Sequence, residues 1–599
     1  MGTLERALGN FFRRFNKLVV WYRLPFLLAM LNLIALRINL RRFNLHDMET
    51  DWPAVDPPGG LDHRVARSDD GRFNDLASPA MGMTGTRFGR NAKIDQTYGE
   101  RDELLLTPNP REVSLKLLTR EEFIPATTLN ILAAGWIQFM VHDWFSHGKN
   151  DKDNPIEVPV PDGDSWHEDP MTVLRTTRAP RTEADAGRPE AFVNTETHWW
   201  DGSQIYGSTA ERVRRLRSGP DGQLLPDGKL QVKPDGHLPL DEKGIELTGV
   251  NGNWWIGLSV LHTLFTREHN AICDRLKIDY PEMSGDMLFA KARLINAALM
   301  AKIHTVEWTP ALLDTPELRF GMRGNWWGAL GEEVYRRFGR VSESEVFSGI
   351  PGSATDHHTA PYAMTEEFVT VYRMHELLPD ELSFRARADD APLKDCTLID
   401  VAGAKTHGLY DEVSYCDAMY SLGTSHPGAI TLHNFPRHLQ TLTRQDSGRV
   451  VDLGTIDILR DRERGVPRYN AFRKMLDMKP FKSFEELTGN AAWAAQIREV
   501  YDGDIDAVDT HVGMMAERLP PGFGFSDTAF RIFILMASRR LKSDRFYTTD
   551  YTPAVYTPVG IDWIDENGMR SVLLRHLPDL APHVAGLRNV FFPWRRGGA

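Results

Sequence analysis

Two histidines in apolar surroundings are the residues of this chain best placed to do chemistry. His142 follows Gln138 by four residues and His375 follows Tyr372 by three, spacings that put each pair on one face of a helix. A neutral imidazole can hold haem iron, and a second, uncoordinated imidazole can manage protons for a bound peroxide. A tyrosine one turn from the iron ligand could then be oxidised. A buried histidine is also an ordinary core residue, so the spacing alone leaves both interpretations open.

Helical periodicity dominates the segments that would carry these residues. Strand-like alternation is scarce, and neither a repeat nor a linker divides the chain after residue 60. The sequence therefore predicts one large, mainly α-helical catalytic domain over residues 111–599. Apolar residues recur at three- and four-residue spacing in residues 127–144, 255–276, 284–305, 366–378 and 526–541.

The first fifty residues differ in character from the rest of the chain. Arginine and lysine surround an apolar run at residues 24–36, which is shorter than the roughly 20 residues that span a bilayer and shows no small-residue cleavage site. Residues 1–50 are therefore predicted to form basic amphipathic helices, the second starting at Pro25. They could lie on a membrane surface or pack as ordinary helices on the main domain. Residues 51–110, rich in proline and glycine, are predicted to form an extended arm.

The amino-acid composition argues against several classes of protein. With 599 residues, 42% of them hydrophobic, the chain can bury a large core. A formal net charge of -12 argues against a nucleic-acid partner, because phosphate contacts need clustered lysine and arginine. The three cysteines are widely spaced and show no pattern typical of a disulfide framework or a zinc site. We therefore expect a reducing, cytoplasmic location, with peripheral membrane association as the alternative.

Several ordered motifs resemble those of a known family. Residues 372–380, Tyr-Arg-Met-His-Glu-Leu-Leu-Pro-Asp, resemble the proximal-histidine motif of cyclooxygenases, and more closely that of plant and bacterial α-dioxygenases. On this resemblance the chain is identified as a fatty-acid α-dioxygenase of the animal haem peroxidase and cyclooxygenase superfamily. The expected fold is that superfamily's large helical haem peroxidase-like domain with little β structure. The similarity includes the distal-histidine segment 136–144 and continues through residues 199–207, 261–270, 460–464, 479–489 and 544–546.

The resemblance also implies roles for individual residues. His375 would be the proximal ligand of haem b, with Asp457 as the polar partner of its imidazole. His142, with Gln138 beside it on the distal face, would act as acid and base on a hydroperoxide activator. Tyr372 would become the radical that takes hydrogen from C2 of a fatty acid. Capture of O2 would then give a 2-hydroperoxy fatty acid.

A calcium site is implied by the same resemblance. Asp143, next to the distal histidine, matches a carboxylate ligand of the family. Thr197, Asp201 and Ser203 alternate along a short segment and could turn oxygen atoms inward, with the carbonyl of Trp199 between them. Calcium prefers such hard oxygen ligands. For this segment alone, an Asx-type turn with only local hydrogen bonds is the alternative.

The expected substrate depends on where a carboxylate is held relative to the radical site. In α-dioxygenases the head group lies deep and presents the Cα–H bond, whereas in cyclooxygenases it sits at the channel mouth and the middle of the chain is oxidised. The resemblance assigns His304, Thr309 and Arg545 to the deep carboxylate site, because a guanidinium matches a carboxylate in shape and stays charged. These residues could instead form structural ion pairs. Arg539 and Arg540 are then the reserve candidates.

The chain departs from parts of the family pattern. Asn251 stands about where mammalian peroxidases place a distal arginine, so general peroxidase turnover should be weak. Residues 479–489 and 503–507 are similar to cyclooxygenases, which keeps cyclooxygenase- or diol-synthase-like mid-chain oxygenation open. Two further alternatives are a general haem peroxidase that oxidises small donors and a membrane-associated scaffold without activity.

Overall fold

Helices dominate the structure, a computed structural model that describes residues 3–16, 19–46, 48–50, 52–358, 360–444 and 447–597. The ends of the predicted units at residues 1, 51 and 599 lie outside the described residues. The described strands form three short antiparallel ribbons. The predicted fold class, mainly α-helical with little β structure, is confirmed.

The helices that build the core and the candidate site are α1 (Thr3–Phe15), α2 (Phe26–Phe43), α3 (Ile131–Trp144), α4 (Ile256–Asp279), α5 (Gly285–Ile303), α6 (Pro316–Trp327), α7 (Glu366–Val371), α8 (Leu453–Glu463), α9 (Thr510–Ala516) and α10 (Asp527–Ser543). The other α-helical segments are Asp102–Leu105, Pro110–Val113, Ser203–Tyr206, Ala210–Arg217, Thr309–Leu312, Glu332–Phe338, Glu345–Ser348, Tyr415–Thr424, Tyr469–Met475, Phe484–Leu487, Ala491–Val500, Pro553–Tyr556, Pro558–Glu566, Met569–His576 and Ala581–Val584. The ribbons pair β1 (Asp151–Val158) with β2 (Met171–Arg175), β3 (Glu381–Arg385) with β4 (Pro392–Thr397), and β5 (Leu442–Thr443) with β6 (Val450–Val451).

Helices α3, α4 and α5 pack side by side in the core. Most side chains of α3 are apolar and buried on every side, which is typical of a helix surrounded by protein. Gly135 lets α3 approach α4 closely, because a Cβ at this position would lie 3.1 Å from the carbonyl oxygen of Gly257. His142 and Asp143 are therefore positioned by the last turn of a buried helix.

Polar caps fix where the helices that carry the site begin. Ser284, Thr365 and Ser526 each accept a hydrogen bond from a backbone N–H in the first turn of α5, α7 and α10. Such caps satisfy donors that a helix start leaves unpaired. At its other end, α5 runs into a π-helical turn, His304–Trp308, and then into the short helix Thr309–Leu312.

The N-terminal helices pack on the body of the protein. Trp21 is buried and donates from Nε1 to Asp527 at 2.8 Å, and α2 lies against α6 and α10. Arg37 and Arg41 of α2 both pair with Glu345. The apolar residues at the amino end of α2 nevertheless remain exposed. Most of this N-terminal segment is therefore packed on the body of the protein. The apolar side chains at the start of α2 form an exposed edge.

The proline- and glycine-rich arm, described from residue 52, has almost no regular structure before Asp102. Buried ion pairs tie it to the helical body, Arg67 with Asp544 and Arg90 with Glu367. Within the described ranges, no helix is both long enough and apolar enough to cross a bilayer.

Candidate active site

Tyr372 and His375 lie just past the end of α7, where the sequence predicts a helix over residues 366–378. The helix ends before Tyr372, and a 3-10 turn begins at His375. The β-branched run 369–371 weakens the helix, and Pro379 favours an extended conformation for the residue before it. The expected stacking of the two residues on a continuous helix is therefore wrong, although both are placed by this short segment.

The His375 imidazole is oriented by a carboxylate. Its Nδ1 lies 2.8 Å from Oδ2 of Asp457, which projects from α8. Burial works to raise the pKa of Asp457, but His375 and Arg373 outweigh it and hold that pKa at about 2. Asp457 is therefore ionised at neutral pH and accepts the proton of Nδ1, which leaves Nε2 of the partly exposed ring free to bind a metal.

The second imidazole, His142, is uncommitted. Its Nδ1 is buried without a hydrogen-bond partner among the described residues, and burial lowers its pKa to about 4. A neutral imidazole of this kind can accept a proton at pH 7. Gln138 is fixed one turn earlier on α3, where its Oε1 accepts from Nε1 of Trp255 at 2.7 Å and its Nε2 donates to the carbonyl of Asn253 at 3.1 Å.

These two imidazoles fit a haem. His375 offers one free nitrogen while its other nitrogen is tied to a carboxylate, an arrangement that strengthens imidazole as an iron ligand. His142 offers a neutral ring with an unpaired nitrogen, as a distal acid and base requires. Asn251, which stands about where mammalian peroxidases place a distal arginine, is uncharged. Its amide donates to Asp241 at 2.7 Å.

Tyr372 lies in an aromatic pocket. Its hydroxyl is buried and has no partner in the described part of the chain, and burial raises its pKa well above the ordinary value. The ring stands edge-on to Trp144, with centroids 5.1 Å apart, and packs on Phe368 at 4.5 Å and Phe533 at 6.1 Å. The phenol is therefore protonated at neutral pH and shielded from water.

His304 occupies the π-helical turn and also touches Trp144. Its ring centroid lies 5.2 Å from that of Trp144, and its Nδ1 is 3.3 Å from the donor Nε1 of Trp136. The Nε2 atom is buried and has no partner among the residues described. The hydroxyl of Thr309 donates to the carbonyl of His304 at 2.9 Å and so supports the turn. The contacts of Trp144 with Tyr372 and His304 define one wall of the site. The free Nε2 of His304 is a polar atom on this wall that can bind a ligand.

Arg540 of α10 completes the wall. Its guanidinium carbon lies 4.2 Å from the ring centroid of Trp144 and 4.5 Å from that of Trp200. The residue is buried, and its Nε and Nη2 have no partner within the described structure. Burying guanidinium N–H groups without acceptors is unfavourable unless an anion meets them. With the free Nε2 of His304, it makes a site suited to a carboxylate.

Arg545, the arginine that the resemblance assigns to a carboxylate, is already engaged. It pairs with Asp550 and donates to the carbonyl of Arg64 in the arm at 3.1 Å. This is the structural ion pair that the sequence left open. Arg539 likewise donates to backbone carbonyls. Sequence position alone does not select Arg540, because the neighbouring Arg539 follows the same largely apolar stretch of α10.

Several buried oxygen atoms lie beside α3, the helix that carries His142. The backbone N–H of Ser203 donates to Asp143 at 2.6 Å and to Asp201 at 3.2 Å, and Arg293 pairs with Asp201 at 3.2 Å. Burial, and then the charge of Asp201, raises the pKa of Asp143 to about 8. Two buried carboxylates in contact with one backbone N–H therefore lack a full set of countercharges.

Two oxygen atoms of this group are orphaned. Oδ2 of Asp143 and Oγ1 of Thr197 are buried without a partner among the described residues, and Trp199 is fully buried on the same segment. Clusters of three or more His, Cys, Asp or Glu side chains arranged for a metal do not occur in the described ranges. A cation here would have to use hydroxyl and carbonyl oxygens as well as the two carboxylates.

Comparison with known proteins agrees with this geometry. Residues 66–590 match the family model for animal haem peroxidase. Alpha-dioxygenase 2 of Arabidopsis thaliana is 37% identical over 97% of this chain and 91% of its own length. The crystal structure of an Oryza sativa fatty acid alpha-dioxygenase, a tyrosine-to-phenylalanine variant with palmitic acid, has a TM-score of 0.91 at 35% identity and covers 99% of this chain and 97% of its own.

A second solved structure gives the same result. The Arabidopsis thaliana fatty acid alpha-dioxygenase has a TM-score of 0.90 at 34% identity, over 99% of this chain and 93% of its own. The resemblance inferred from the motifs is confirmed. The chain is therefore an oxidoreductase that belongs to the α-dioxygenases of the animal haem peroxidase family, whose cofactor is haem.

Proposed function

We propose that this protein adds O2 at C2 of a fatty acid and forms a 2-hydroperoxy fatty acid. One observation carries the proposal: the His304 ring, the Arg540 guanidinium and the Tyr372 ring all contact the indole of Trp144. A carboxylate bound there brings C2 close to the phenol oxygen, whereas a site at a channel mouth would present mid-chain carbons. The palmitic acid held by the Oryza sativa relative supports a long-chain acid as substrate.

The roles of the chain's own residues follow from their protonation. The one-electron oxidising capacity comes from haem, held by Nε2 of His375, when it is bound. His142 takes the proton of an incoming hydroperoxide and returns it to the departing oxygen. Tyr372 would give up an electron to the haem and its proton to an oxygen of the reduced hydroperoxide, and the resulting phenoxyl oxygen removes hydrogen from C2. The carbon radical adds O2, and the peroxyl radical recovers a hydrogen atom from Tyr372, which restores the phenoxyl.

The carboxylate of the substrate is held by His304 and Arg540 in this proposal. Arg540 takes the place that the resemblance gives to Arg545, because its Nε and Nη2 have no partner among the described residues, whereas both terminal nitrogens of Arg545 are engaged by Asp550 and the arm. Thr309 supports the π-helical turn through the His304 carbonyl. Charge-assisted hydrogen bonds to a guanidinium are strong in a buried site, which favours a fixed head group.

We also propose that calcium binds between the distal helix and the segment after it, with Asp143, Thr197, Asp201, Ser203 and the Trp199 carbonyl as ligands. The raised pKa of Asp143 and the orphaned oxygens of Asp143 and Thr197 support a missing positive charge there. The site would tie the segment to the carboxyl end of α3 and so stabilise the distal histidine.

The reaction is tested with haem-loaded protein, palmitate and O2. We expect 2-hydroperoxypalmitate by mass spectrometry, and we expect Tyr372→Phe to bind haem yet lose oxygen uptake by at least about 100-fold, the lower range of loss for a group that acts in the chemical step. Tyr415→Phe is the matched control, because its hydroxyl only donates to the carbonyl of Val260. Oxygenation along the chain would refute attack at C2, and full oxygen uptake by Tyr372→Phe would rule out this radical site.

A membrane surface is proposed as a partner of the amino end of α2. This edge presents exposed apolar side chains beside the exposed Arg14 and Arg23, a combination that suits an anionic lipid interface. The exposed set consists of Phe26, Leu27, Leu28, Leu31 and, on α6, Phe320.

A row of buried aromatic rings that begins at Trp21, just before α2, and reaches the active site supports this placement. Trp21 packs on Phe523 at 5.6 Å, Phe523 neighbours Phe525 at 6.5 Å, and Phe525 neighbours Phe533 at 6.1 Å. Phe533 in turn contacts Tyr372. An acyl chain entering from a lipid surface would meet apolar side chains along this row.

Cosedimentation with vesicles of phosphatidylcholine and phosphatidylserine tests the partner. The doubly substituted Leu27→Ser, Leu31→Ser protein should bind several-fold more weakly than the unsubstituted protein, since each exposed leucine loses apolar contact with lipid. Leu330→Ser removes an exposed leucine elsewhere and should change nothing. Equal binding by all three proteins would contradict a membrane role for α2.

A further inference from the structure

Trp144 contacts several parts of the site, yet the proposed reaction does not use it. Its ring stands 5.1 Å from that of Tyr372, 5.2 Å from that of His304 and 5.6 Å from that of Trp200, and the guanidinium of Arg540 lies 4.2 Å from its centroid. Tyrosine and tryptophan are oxidised at similar potentials. An indole against a phenoxyl radical is therefore a natural place for the radical to escape.

The escape step has a definite balance. One electron leaves the indole of Trp144 and reduces the phenoxyl oxygen of Tyr372. The proton that Tyr372 released when it was oxidised returns to that oxygen, because burial strongly disfavours the phenolate. Nε1 of Trp144 and Nε1 of Trp200 are buried, and neither has a hydrogen-bond acceptor among the described residues. No base is therefore placed to take the indole proton, and an oxidised indole would remain a cation.

Such a cation would face a second one. Arg540 stacks over Trp144 at 4.2 Å and over Trp200 at 4.5 Å, and all three side chains are buried. Like charges at this separation repel strongly in a low-dielectric interior. The charge of Arg540 also lowers the pKa of Asp143, so this carboxylate compensates part of it. The repulsion is greatest when no substrate carboxylate is bound, which is also when the radical has no C–H bond to attack.

We propose a second role for Arg540: its charge keeps the radical on Tyr372 by making Trp144 and Trp200 hard to oxidise. This inference rests on the proposed function, because it needs a phenoxyl radical at Tyr372. It differs from the contact with the substrate carboxylate, since it acts in the absence of fatty acid.

Electron paramagnetic resonance of the haem-loaded protein tests the role, with peroxide added and fatty acid omitted. The unsubstituted protein should give a phenoxyl signal. Arg540→Gln should lose most of that signal and gain a tryptophanyl signal, identified by its response to deuterated tryptophan. Arg540→Lys, which keeps the charge, should retain the phenoxyl signal, and Arg539→Gln is the control for charge loss on α10, because that guanidinium is held by backbone carbonyls.

Several experimental results would overturn the proposed role of Arg540 or the radical site itself. A phenoxyl signal without a tryptophanyl one in Arg540→Gln would overturn the proposal, as would a tryptophanyl signal that persists in Arg540→Gln, Trp144→Phe, Trp200→Phe. Peptide mass spectrometry of the unsubstituted protein after repeated peroxide addition should find Trp144 unoxidised, and oxidised Trp144 would overturn the proposal even if the Arg540 variants failed to fold. A protein that gives no phenoxyl signal, or keeps it in Tyr372→Phe, would instead refute the radical site of the proposed function.

Discussion

Two arginines five positions apart on the chain have different tasks at the residue scale. The guanidinium of Arg540 stacks on Trp144 and has nitrogens without a partner among the described residues. The guanidinium of Arg545 is paired with Asp550 and bound to the arm. We expect Arg540→Gln to raise the KM for palmitate by about 10- to 100-fold, the loss of a charge-assisted hydrogen bond. Steady-state oxygen uptake at varied palmitate measures it.

Arg545→Gln provides the contrast. Its loss should lower the midpoint of thermal unfolding and leave the KM within about 2-fold, because its partners are structural. A KM effect confined to Arg545→Gln would show that the carboxylate binds elsewhere.

The motifs name candidate residues for the haem site but do not show the contacts between them. His375 and Asp457 are separated by 82 positions, and only the fold shows that their side chains meet at 2.8 Å. Arg540 and Arg545 occur in equally plausible places on one segment. The deciding partner, the carbonyl of Arg64, lies 481 positions away, a distance that local spacing cannot reveal.

At the element scale, α2 depends on one carboxylate. Glu345 receives Arg37 and Arg41, and although burial works to raise its pKa, these arginines hold it below the ordinary value. The stability from this carboxylate is present above the pKa of unfolded glutamate and is lost as pH falls toward the depressed folded value. Glu345→Gln should therefore cost about 3 kcal/mol at pH 7, the range for breaking a buried pair.

Denaturant unfolding at two pH values checks this dependence. The difference between the unsubstituted protein and Glu345→Gln should shrink between pH 7 and about pH 3 as the carboxylate is protonated. Arg14→Gln, an exposed arginine of α1, should be near neutral at both values. A difference that stays constant with pH would mean that charge does not hold α2 in place.

Helix periodicity located the elements but not the ends that matter. The pattern that predicts a helix over residues 366–378 includes Tyr372 and His375, and the structure ends α7 before both. Periodicity records which residues are apolar. It does not register that β-branched residues and Pro379 weaken the helix, and these local effects decide the turn that presents the phenol and the imidazole.

On the scale of the whole molecule, one hydrophobic core includes Trp21 near the start of the chain and Trp594 near its end. Composition set residues 1–50 apart from the rest, because arginine and lysine are frequent there. It could not show that Trp21 would donate to Asp527, 506 positions away. Composition detects a change in surface character, whereas packing partners depend on the complete fold.

Calcium removal is expected to act on the molecule as a whole. A chelator should lower the midpoint of thermal unfolding by roughly 2–4 °C, because an ion that binds only the folded state stabilises it. Differential scanning calorimetry with and without chelator measures this shift. Asp201→Asn should be insensitive to the chelator, and magnesium should restore the unsubstituted protein poorly, since it needs a smaller octahedral site. An unchanged midpoint in the unsubstituted protein would speak against the proposed ion.

The π-helical turn at His304–Trp308 makes chain length itself a determinant of the pocket. Such a turn holds one residue more than an α-helical one, so a single deletion could remove it. That deletion would close the turn to α-helical spacing and change the directions in which the side chains of residues 304–308 point. The indole of Trp308, whose centroid lies 4.6 Å from the His304 ring, would swing away. Members with a shortened segment here should accept differently shaped ligands, even with every side chain of the wall retained.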